Sequence, residues 1–252
     1  MRSLLAVALL LLLAPAVFAH DPVEDATLIP TKRRSVRSGG SAPPVIVHRT
    51  VVLTPSKDNT LFQTTDGSIS NGAGPHVFVG MTQGNSKRRT LLAFDVASQI
   101  PPGSTVTRVA LRVRVSAARS NAPAALHRLT ADWGQGASNA GFVRDGIGSQ
   151  AQANDATWLH RFFPNTRWTT AGGDFAAVAD ATSSTAGSFE ETWESPAMIA
   201  SVQQWLDQPA TNFGWIVIGD ESRSTTAKRY DSREIDPETT RPELTIEFDT
   251  RQ

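Results

Sequence analysis

The residues of this sequence best suited to bind a ligand are concentrated between residues 134 and 189. Aromatic, imidazole and guanidinium side chains occur together in one stretch of that segment: Trp158, His160, Arg161, Phe162, Phe163, Arg167 and Trp168. Aromatic rings can stack on the apolar face of a sugar, and a guanidinium can hold a carboxylate through two hydrogen bonds. If these side chains share one exposed face, they form a platform for a glycan. The alternative is that the rings fold inward and hold a long loop against the protein, since large aromatic residues are mostly buried.

A second candidate contact surface is basic. Arg112 and Arg114 alternate with valine and leucine in a segment that has the period of a β-strand, which places both side chains on the solvent face. His127 and Arg128 follow on the next predicted strand. Together these groups could line a basic groove. The alternative is an ordinary solvated strand face.

Carboxylates form the third group of candidate residues. Asp220, Glu221, Asp231 and Glu234 fall close together near the end of the chain, and Asp58 precedes an early strand. Clustered oxygens could hold a structural calcium ion, and a pair of carboxylates could do acid–base chemistry on a glycosidic bond. Because basic residues are interleaved with them, salt bridges that tie the last strands together are the simpler alternative. No other cofactor is indicated.

The sequence contains no recognisable catalytic motif. It lacks the GxSxG, SxxK and HExxH patterns, and its five histidines do not have the spacing of a zinc site. The absence of cysteine excludes disulfides and thiol nucleophiles. With 24 basic and 24 acidic side chains the formal net charge is zero, so the overall charge does not attract nucleic acid. We therefore expect neither enzymatic activity nor nucleic-acid binding.

The first residues of the chain predict export. Arg2 is followed by an apolar run at residues 4–13 and by small residues before His20, which is the pattern of a signal peptide at residues 1–19 with cleavage near Ala19. The expected location is secreted, periplasmic or at the cell surface. No other apolar run is long enough to span a membrane, so no membrane insertion is expected. Residues 20–44 are rich in charged residues, Gly and Pro, and are predicted to be a disordered leader.

Residues 45–252 are predicted to form a single β-sandwich domain. Apolar and polar residues alternate at 109–116, and several other short β-rich segments are separated by turn signals. Ser195 and Pro196 are predicted to begin one short helix. Residues 213–218 are almost continuously apolar, which indicates a central strand covered on both faces. A long segment at about 134–189, rich in Gly and containing Trp, is predicted to be an insertion.

The ordered segments of this domain resemble the DNRLRE domain family, which is close to the disaggregatase-related repeats. The resemblance covers about residues 45–250. Its segments are 89–95 (RTLLAFD), 100–106 (IPPGSTV) with the strand at 109–115, the paired Trp segments 131–133 (ADW) and 156–158 (ATW), 202–206 (VQQWL) with 212–215 (NFGW), and the closing segments 219–222 (GDES), 229–234 (RYDSRE) and 241–244 (RPEL). Each segment alone is weakly specific, and their order along the chain is more specific.

This resemblance implies a jelly-roll-like antiparallel β-sandwich in a secreted or surface protein of bacteria or archaea. Such domains usually accompany catalytic or adhesive modules, and some related modules bind polysaccharides, including acidic ones. The chain departs from the family in two respects. Ala93 stands where the family often has Arg or Lys, so that basic contact is not carried over. The insertion at 134–189 is also longer than usual.

The preferred functional prediction is a secreted, non-catalytic binding module that recognises polysaccharide at a cell surface or in an extracellular matrix. A structural or adhesive matrix protein, in which the leader and the insertion meet protein partners, is the alternative. A polysaccharide-degrading enzyme that uses Asp or Glu is the third and less favoured prediction.

Overall fold

The computed structural model describes residues 44–183 and 189–251. The predicted signal peptide and nearly all of the predicted leader, with its basic residues at 32–37, lie outside the described residues. The described strands are β1 (Ile46–Leu53), β2 (Lys57–Phe62), β3 (Ile69–Ser70), β4 (His76–Met81), β5 (Lys87–Ala93), β6 (Thr105–Ala118), β7 (Ala125–Arg128), β8 (Ser149–Gln150), β9 (His160–Phe162), β10 (Thr166–Arg167), β11 (Ala181–Thr182), β12 (Glu190–Glu194), β13 (Trp215–Ile218), β14 (Lys228–Asp231) and β15 (Glu243–Arg251). The described α-helices are α1 (Gly141–Arg144) and α2 (Pro196–Asp207).

Eleven of these strands form one antiparallel sheet that folds over on itself. One half, here called the front sheet, has the order β12-β6-β15-β1. The other half, here called the back sheet, has the order β2-β5-β13-β7-β11. The two halves are joined because β4 pairs with both β5 and β14, and β14 pairs with the last part of β6. The fold is therefore the all-β, sandwich-type architecture that the sequence predicts.

The main hydrophobic core lies between the front and back sheets. Val109, Leu111 and Val113 of β6 belong to the same buried cluster as Trp215 and Val217 of β13. The polar residues that alternate with these positions on β6 point to the outer side of the front sheet, as a strand period of two requires. The predicted wet and buried faces of this strand are thus confirmed.

Helix α2 closes the main core beside β6. It begins at the predicted residues: the Ser195 hydroxyl accepts a hydrogen bond from the Met198 N–H at 3.1 Å, and proline occupies the first turn. Its apolar stripe of Met198, Val202 and Trp205 is fully buried in the main core. In the part of the chain that the structure describes, no helix has the length and apolar character needed to cross a membrane.

A second hydrophobic core lies on the opposite side of the back sheet, beneath the inserted segment. Leu61, Leu91 and Ile216 point outward from the back sheet and cluster with Trp133 and other buried residues of residues 129–168. Strand β13 therefore contributes to both cores, since Val217 faces the main core and Ile216 faces the second one. The expectation of a strand covered on both faces is confirmed for Trp215–Ile218, while residues 213 and 214 precede the strand.

The glycines of the inserted segment allow its chain to pack closely. Gly136 has a φ of +72°, and a Cβ atom there would lie 1.6 Å from the Asp155 Oδ1 atom. No other residue type fits such a position without displacing its neighbours. Close packing within the inserted segment thus requires glycine at this position.

Candidate functional site

The two tryptophans of the predicted glycan platform are buried in the second core. Trp158 is 7% exposed and Trp168 is 5% exposed. The Trp168 Nε1–H donates a hydrogen bond to the Thr157 carbonyl oxygen at 2.9 Å, so even its polar edge is satisfied inside the protein. A platform that includes both rings is therefore not formed. The physical reason is that the outer face of the back sheet is apolar and needs large side chains to cover it.

One face of Trp158 is occupied by an arginine that sequence reasoning missed. The Arg89 guanidinium lies 4.9 Å from the Trp158 ring centroid and donates to the Gly172 carbonyl oxygen at 2.8 Å. It also donates to both carboxylate oxygens of Glu221, at 2.8 and 2.9 Å. Burial alone would raise the pKa of the Glu221 carboxyl, but the hydrogen bonds from Arg89 and Lys87 outweigh burial and lower that pKa.

The remaining predicted platform residues lie on or beside β9. His160 is buried, its Nδ1 atom is 3.1 Å from the Thr157 hydroxyl, and its pKa is lowered by burial and by the positive charge of Arg167. Phe162 and Phe163 are half-buried. The Arg161 guanidinium lies 5.4 Å from the Phe162 ring centroid and donates to the Asp132 carbonyl oxygen at 3.1 Å. These side chains support one another and do not join the tryptophans on a common face.

The predicted basic groove at Arg112 and Arg114 is also corrected by the structure. Both side chains do lie on the outer face of the front sheet, but Arg112 donates to Glu190 and to Glu243 at 2.6 Å each. Arg108 is bracketed in the same way by Glu194 and Glu247. We call these two rows the charge ladder; each row crosses β12, β6 and β15. Since each arginine faces two carboxylates, the ladder is not a basic surface.

Arg114 and the other predicted basic neighbours have separate surroundings. The Arg114 Nε atom is 3.7 Å from the buried carboxylate of Asp231. The His127 Nδ1 atom is 2.9 Å from the Ala176 carbonyl oxygen, and Arg128 donates to the side-chain oxygen of Gln204. His127 and Arg128 belong to the back sheet, so they do not extend a groove from Arg112.

The candidate calcium ligands are dispersed. Asp220 accepts hydrogen bonds from Ser222 and Arg223, Glu221 is held by Arg89, and Asp231 lies beside His76. Within residues 44–183 and 189–251, no group of three or more His, Asp or Glu residues is arranged to hold a metal ion. The carboxylate cluster that a calcium site needs is therefore not assembled among the described residues, and Asp220 and Glu221 instead accept hydrogen bonds from arginines, as the simpler alternative has it.

Asp58 and Glu234 form the one close pair among these five predicted carboxyls. The Asp58 Oδ2 atom accepts from the Arg233 N–H at 2.7 Å, and the Glu234 Oε1 atom accepts from the Gln135 amide at 2.9 Å. The second oxygen of each group is buried and lacks a partner within the described structure. Burial raises the pKa of both carboxyls, and the negative charge of Glu234 raises that of Asp58 further. A single proton shared between the two groups satisfies both free oxygens.

The burial of this carboxyl pair does not suit a glycosidase, whose two catalytic carboxyls flank an open site that admits a glycosidic bond. Here the pair is locked between β2, the inserted segment and the chain after β14, and Asp58 is 1% exposed. Its role is to join these three segments.

An open groove lies beside Trp158, where the inserted segment meets the β4–β5 hairpin. Its volume is about 490 Å³. The residues that line it are Gln63, Thr64, Thr65, Asn85, Ser86, Trp158 and Leu159. Two side-chain amides and three hydroxyls thus face a wall formed by Trp158 and Leu159. We refer to this feature as the amide–hydroxyl groove.

The polar groups of the groove differ in how strongly they are engaged. The Ser86 hydroxyl donates to the Gln63 carbonyl oxygen at 2.8 Å, and the Thr64 hydroxyl accepts from the Gly67 N–H at 3.1 Å. The side chains of Asn85 and Thr65 are exposed and have no hydrogen-bond partner among the described residues. Asn85 has a φ of +59° at the tip of the hairpin, a conformation that asparagine tolerates better than most residues. Two polar side chains are therefore available to a ligand.

No protein-family model matches this chain, and no curated protein matches it significantly. The sequence resemblance to DNRLRE domains stays a prediction.

Proposed function

We propose that this protein is a non-catalytic binding module that recognises polysaccharide through the amide–hydroxyl groove. The observation that carries the proposal is the composition of the groove: planar amides and hydroxyls beside an aromatic and aliphatic wall, in an open depression of about 490 Å³. Sugars present hydroxyls that both donate and accept, and amide and hydroxyl side chains match both roles. An open groove also accepts an internal part of a long chain, whereas an enclosed pocket accepts only an end.

Recognition in this groove depends on hydrogen bonds more than on ring stacking. The Trp158 ring has Arg89 over one face, and a Cβ atom on Gly172 would lie 2.8 Å from its ring edge. Only a small part of the ring is left to form the apolar wall. Trp158 is thus a support for the groove, while Asn85 and Thr65 are its contact residues. This distribution differs from the aromatic platform that the sequence predicts.

The proposed location and family follow from sequence features outside the groove. A signal peptide at residues 1–19 would deliver the domain to the cell exterior, the periplasm or the matrix, where polysaccharide is abundant. The resemblance to DNRLRE domains agrees with a module of this kind. The proposal includes no catalytic step, since Asp58 is only 1% exposed and a substrate has no access to the carboxyl pair that it forms with Glu234.

The direct test is native affinity electrophoresis through gels that contain neutral or acidic polysaccharides. We expect at least one polysaccharide to retard the protein. The Asn85→Gly/Thr65→Ala double variant should then bind roughly tenfold more weakly, because two hydrogen bonds to the ligand are lost. Both positions are exposed and glycine accepts the positive φ of residue 85, so the variant should unfold at nearly the same temperature as the wild type.

Asn121→Ala is the matched control, because Asn121 is equally exposed and lies outside the groove. The proposal fails if no polysaccharide retards the protein, or if the control weakens binding as much as the double variant does. Release of reducing ends from any polysaccharide of the panel would instead favour the enzymatic alternative.

A further inference from the structure

The outer edge of the front sheet is an unpaired β-strand. Strand β1 pairs with β15 over eight consecutive residues with no register shift. Among the described residues, β15 is its only strand partner, and no hydrogen bond reaches its other edge. Alternate N–H and C=O groups along that edge therefore point away from the protein. Such an edge is a template for another extended chain.

Strand β1 lacks most of the features that usually protect an edge strand, and Arg49 is its one permanently charged residue. Proteins discourage edge pairing with proline, lysine, bulges or very short strands. Strand β1 has eight residues, is regular and contains neither proline nor lysine. The strand and the preceding Val45 also expose large apolar side chains: Val45 is 64%, Ile46 47% and Val52 54% exposed. These three are among only eight large apolar residues that the described structure leaves exposed.

The polarity of this segment is symmetric about Arg49. Residues 45–53 read VIV-HRT-VVL, with an apolar triplet on either side of a polar one. A two-fold axis perpendicular to the sheet keeps the inner face of each strand inward and its outer face outward. Odd-numbered residues of one copy therefore lie opposite odd-numbered residues of the other, and even-numbered opposite even-numbered. When the axis passes through Arg49, Val47 lies opposite Val51, Ile46 opposite Val52, and Val45 opposite Leu53. Each of these pairs occurs twice and brings apolar side chains together.

We propose that two copies of this protein associate through antiparallel pairing of their β1 strands. The two front sheets then form one continuous sheet with the order β12-β6-β15-β1-β1-β15-β6-β12. This contact leaves the amide–hydroxyl groove free, because the groove is built from the back sheet and the inserted segment. A dimer therefore presents two grooves, and a polysaccharide chain that reaches both is held by two sites.

The same register places Arg49 opposite the second copy's equivalent arginine. Arg49 is exposed and has no carboxylate partner among the described residues. The like charges repel each other across the axis, and salt screens this repulsion. Association should therefore strengthen at higher salt, the opposite of what a contact based on ion pairs would show. The Arg49→Thr variant should associate about two- to fivefold more tightly and lose the salt dependence.

The experiment is analytical ultracentrifugation of the purified protein over a wide concentration range, at low and high salt. We expect a monomer–dimer equilibrium that salt shifts toward the dimer. Val52→Lys should weaken it roughly tenfold or more, because it inserts two lysines into apolar cross-strand pairs. Amide hydrogen exchange should slow along β1 as the concentration rises, and circular dichroism should show that the variant remains folded.

Val143→Lys is the matched control, because Val143 is 95% exposed and lies on α1, away from β1. A protein that is monomeric at every concentration overturns the proposal. Equal weakening by Val143→Lys also overturns it, since the contact would then lie elsewhere. Dimerisation that weakens with salt would exclude this register.

Discussion

The outer faces of the front and back sheets differ although both belong to one continuous sheet. The outer face of the front sheet meets solvent and carries the charge ladder of Arg108, Arg112 and four glutamates. The outer face of the back sheet carries Leu61, Leu91 and Ile216 and is covered by the inserted segment. Alternating polarity thus suits a strand with one wet face, and continuous apolarity suits a strand between two layers.

The difference shows why the aromatic residues of the insertion are structural. In the described part of the inserted segment, residues 134–183, no helix or strand is longer than four residues, so little regular hydrogen bonding holds it in place. It is fixed instead by the burial of Trp133, Trp158 and Trp168 and by Arg89, which links it to Glu221. Ligand binding is left to the margin of the covered face, where the amide–hydroxyl groove lies.

The largest expected effect is loss of a tryptophan from the second core. Trp168→Ala should lower the free energy of unfolding by about 3–5 kcal/mol, because it removes a buried ring and leaves a cavity. Phe142→Ala is the control, since Phe142 is 65% exposed and its loss should cost less than about 1 kcal/mol. Urea unfolding at equilibrium measures both changes. If the two variants are equally stable, the inserted segment is not held by its aromatic core.

A comparable loss of stability is expected when the ion pair buried between the sheets is broken. Lys228 and Glu191 form a salt bridge with almost no exposure, and the Tyr230 hydroxyl donates to Glu191 at 2.6 Å. Lys228→Met should cost about 3–5 kcal/mol, because it leaves the Glu191 carboxylate buried without its cation.

The control for this prediction is the double variant Lys228→Met/Glu191→Met. It should recover most of the lost stability, because it removes both charges together. Thermal and urea unfolding of the two variants would measure this recovery of stability. A double variant no more stable than Lys228→Met would mean that the pair acts through packing alone.

A smaller, pH-dependent effect on the free energy of unfolding is expected from Asp58 and Glu234. Their pKa values are raised in the folded protein, so the folded state binds more protons than the unfolded state at pH values above about 4. The contribution of the pair to stability should therefore decrease as the pH rises through the raised pKa values. Asp58→Asn keeps the shape and can donate to Glu234, so the variant should gain stability relative to the wild type as the pH rises. Urea unfolding between pH 4.5 and 8 measures this difference, and a difference that does not change with pH would contradict proton sharing.

The smallest effect is expected on the outer face of the front sheet. Arg112→Ala removes two hydrogen-bonded ion pairs, but the partners are well exposed to water, and the cost should be below about 1 kcal/mol. Moderate salt should shrink this difference further. Thermal unfolding at two ionic strengths would test it. A cost as large as that of Lys228→Met would mean that the charge ladder is shielded from solvent in the assembled protein.

Local features of the fold could be predicted from the sequence because short-range physics controls them. The alternation in β6 assigned Val109 and Val113 to the core, and the Ser195–Pro196 pair marked the start of α2. The apolar run at 213–218 indicated a strand between two layers. Each of these signals depends on side chains within a few residues of one another.

The candidate site could not be predicted in the same way. The sequence indicates Trp158 as a binding residue by its chemistry. Its partner Arg89 is 69 residues away, and no local pattern links the two. The groove residues Asn85 and Thr65 are ordinary turn residues in the sequence. Only the meeting of the β4–β5 hairpin with the inserted segment gives them a common function.

The sequence by itself determined the approximate positions of the main strands, where α2 begins and which face of β6 is apolar, because these properties follow from the period of the backbone. It did not indicate β12 or the short strands β8–β11. Tertiary structure alone decided which apolar faces meet, which carboxylates gain arginine partners and which edge stays unpaired. These outcomes depend on contacts between residues far apart in the chain. Asp58 and Glu234, for example, form a close pair only because β2 and the chain after β14 meet in the folded protein.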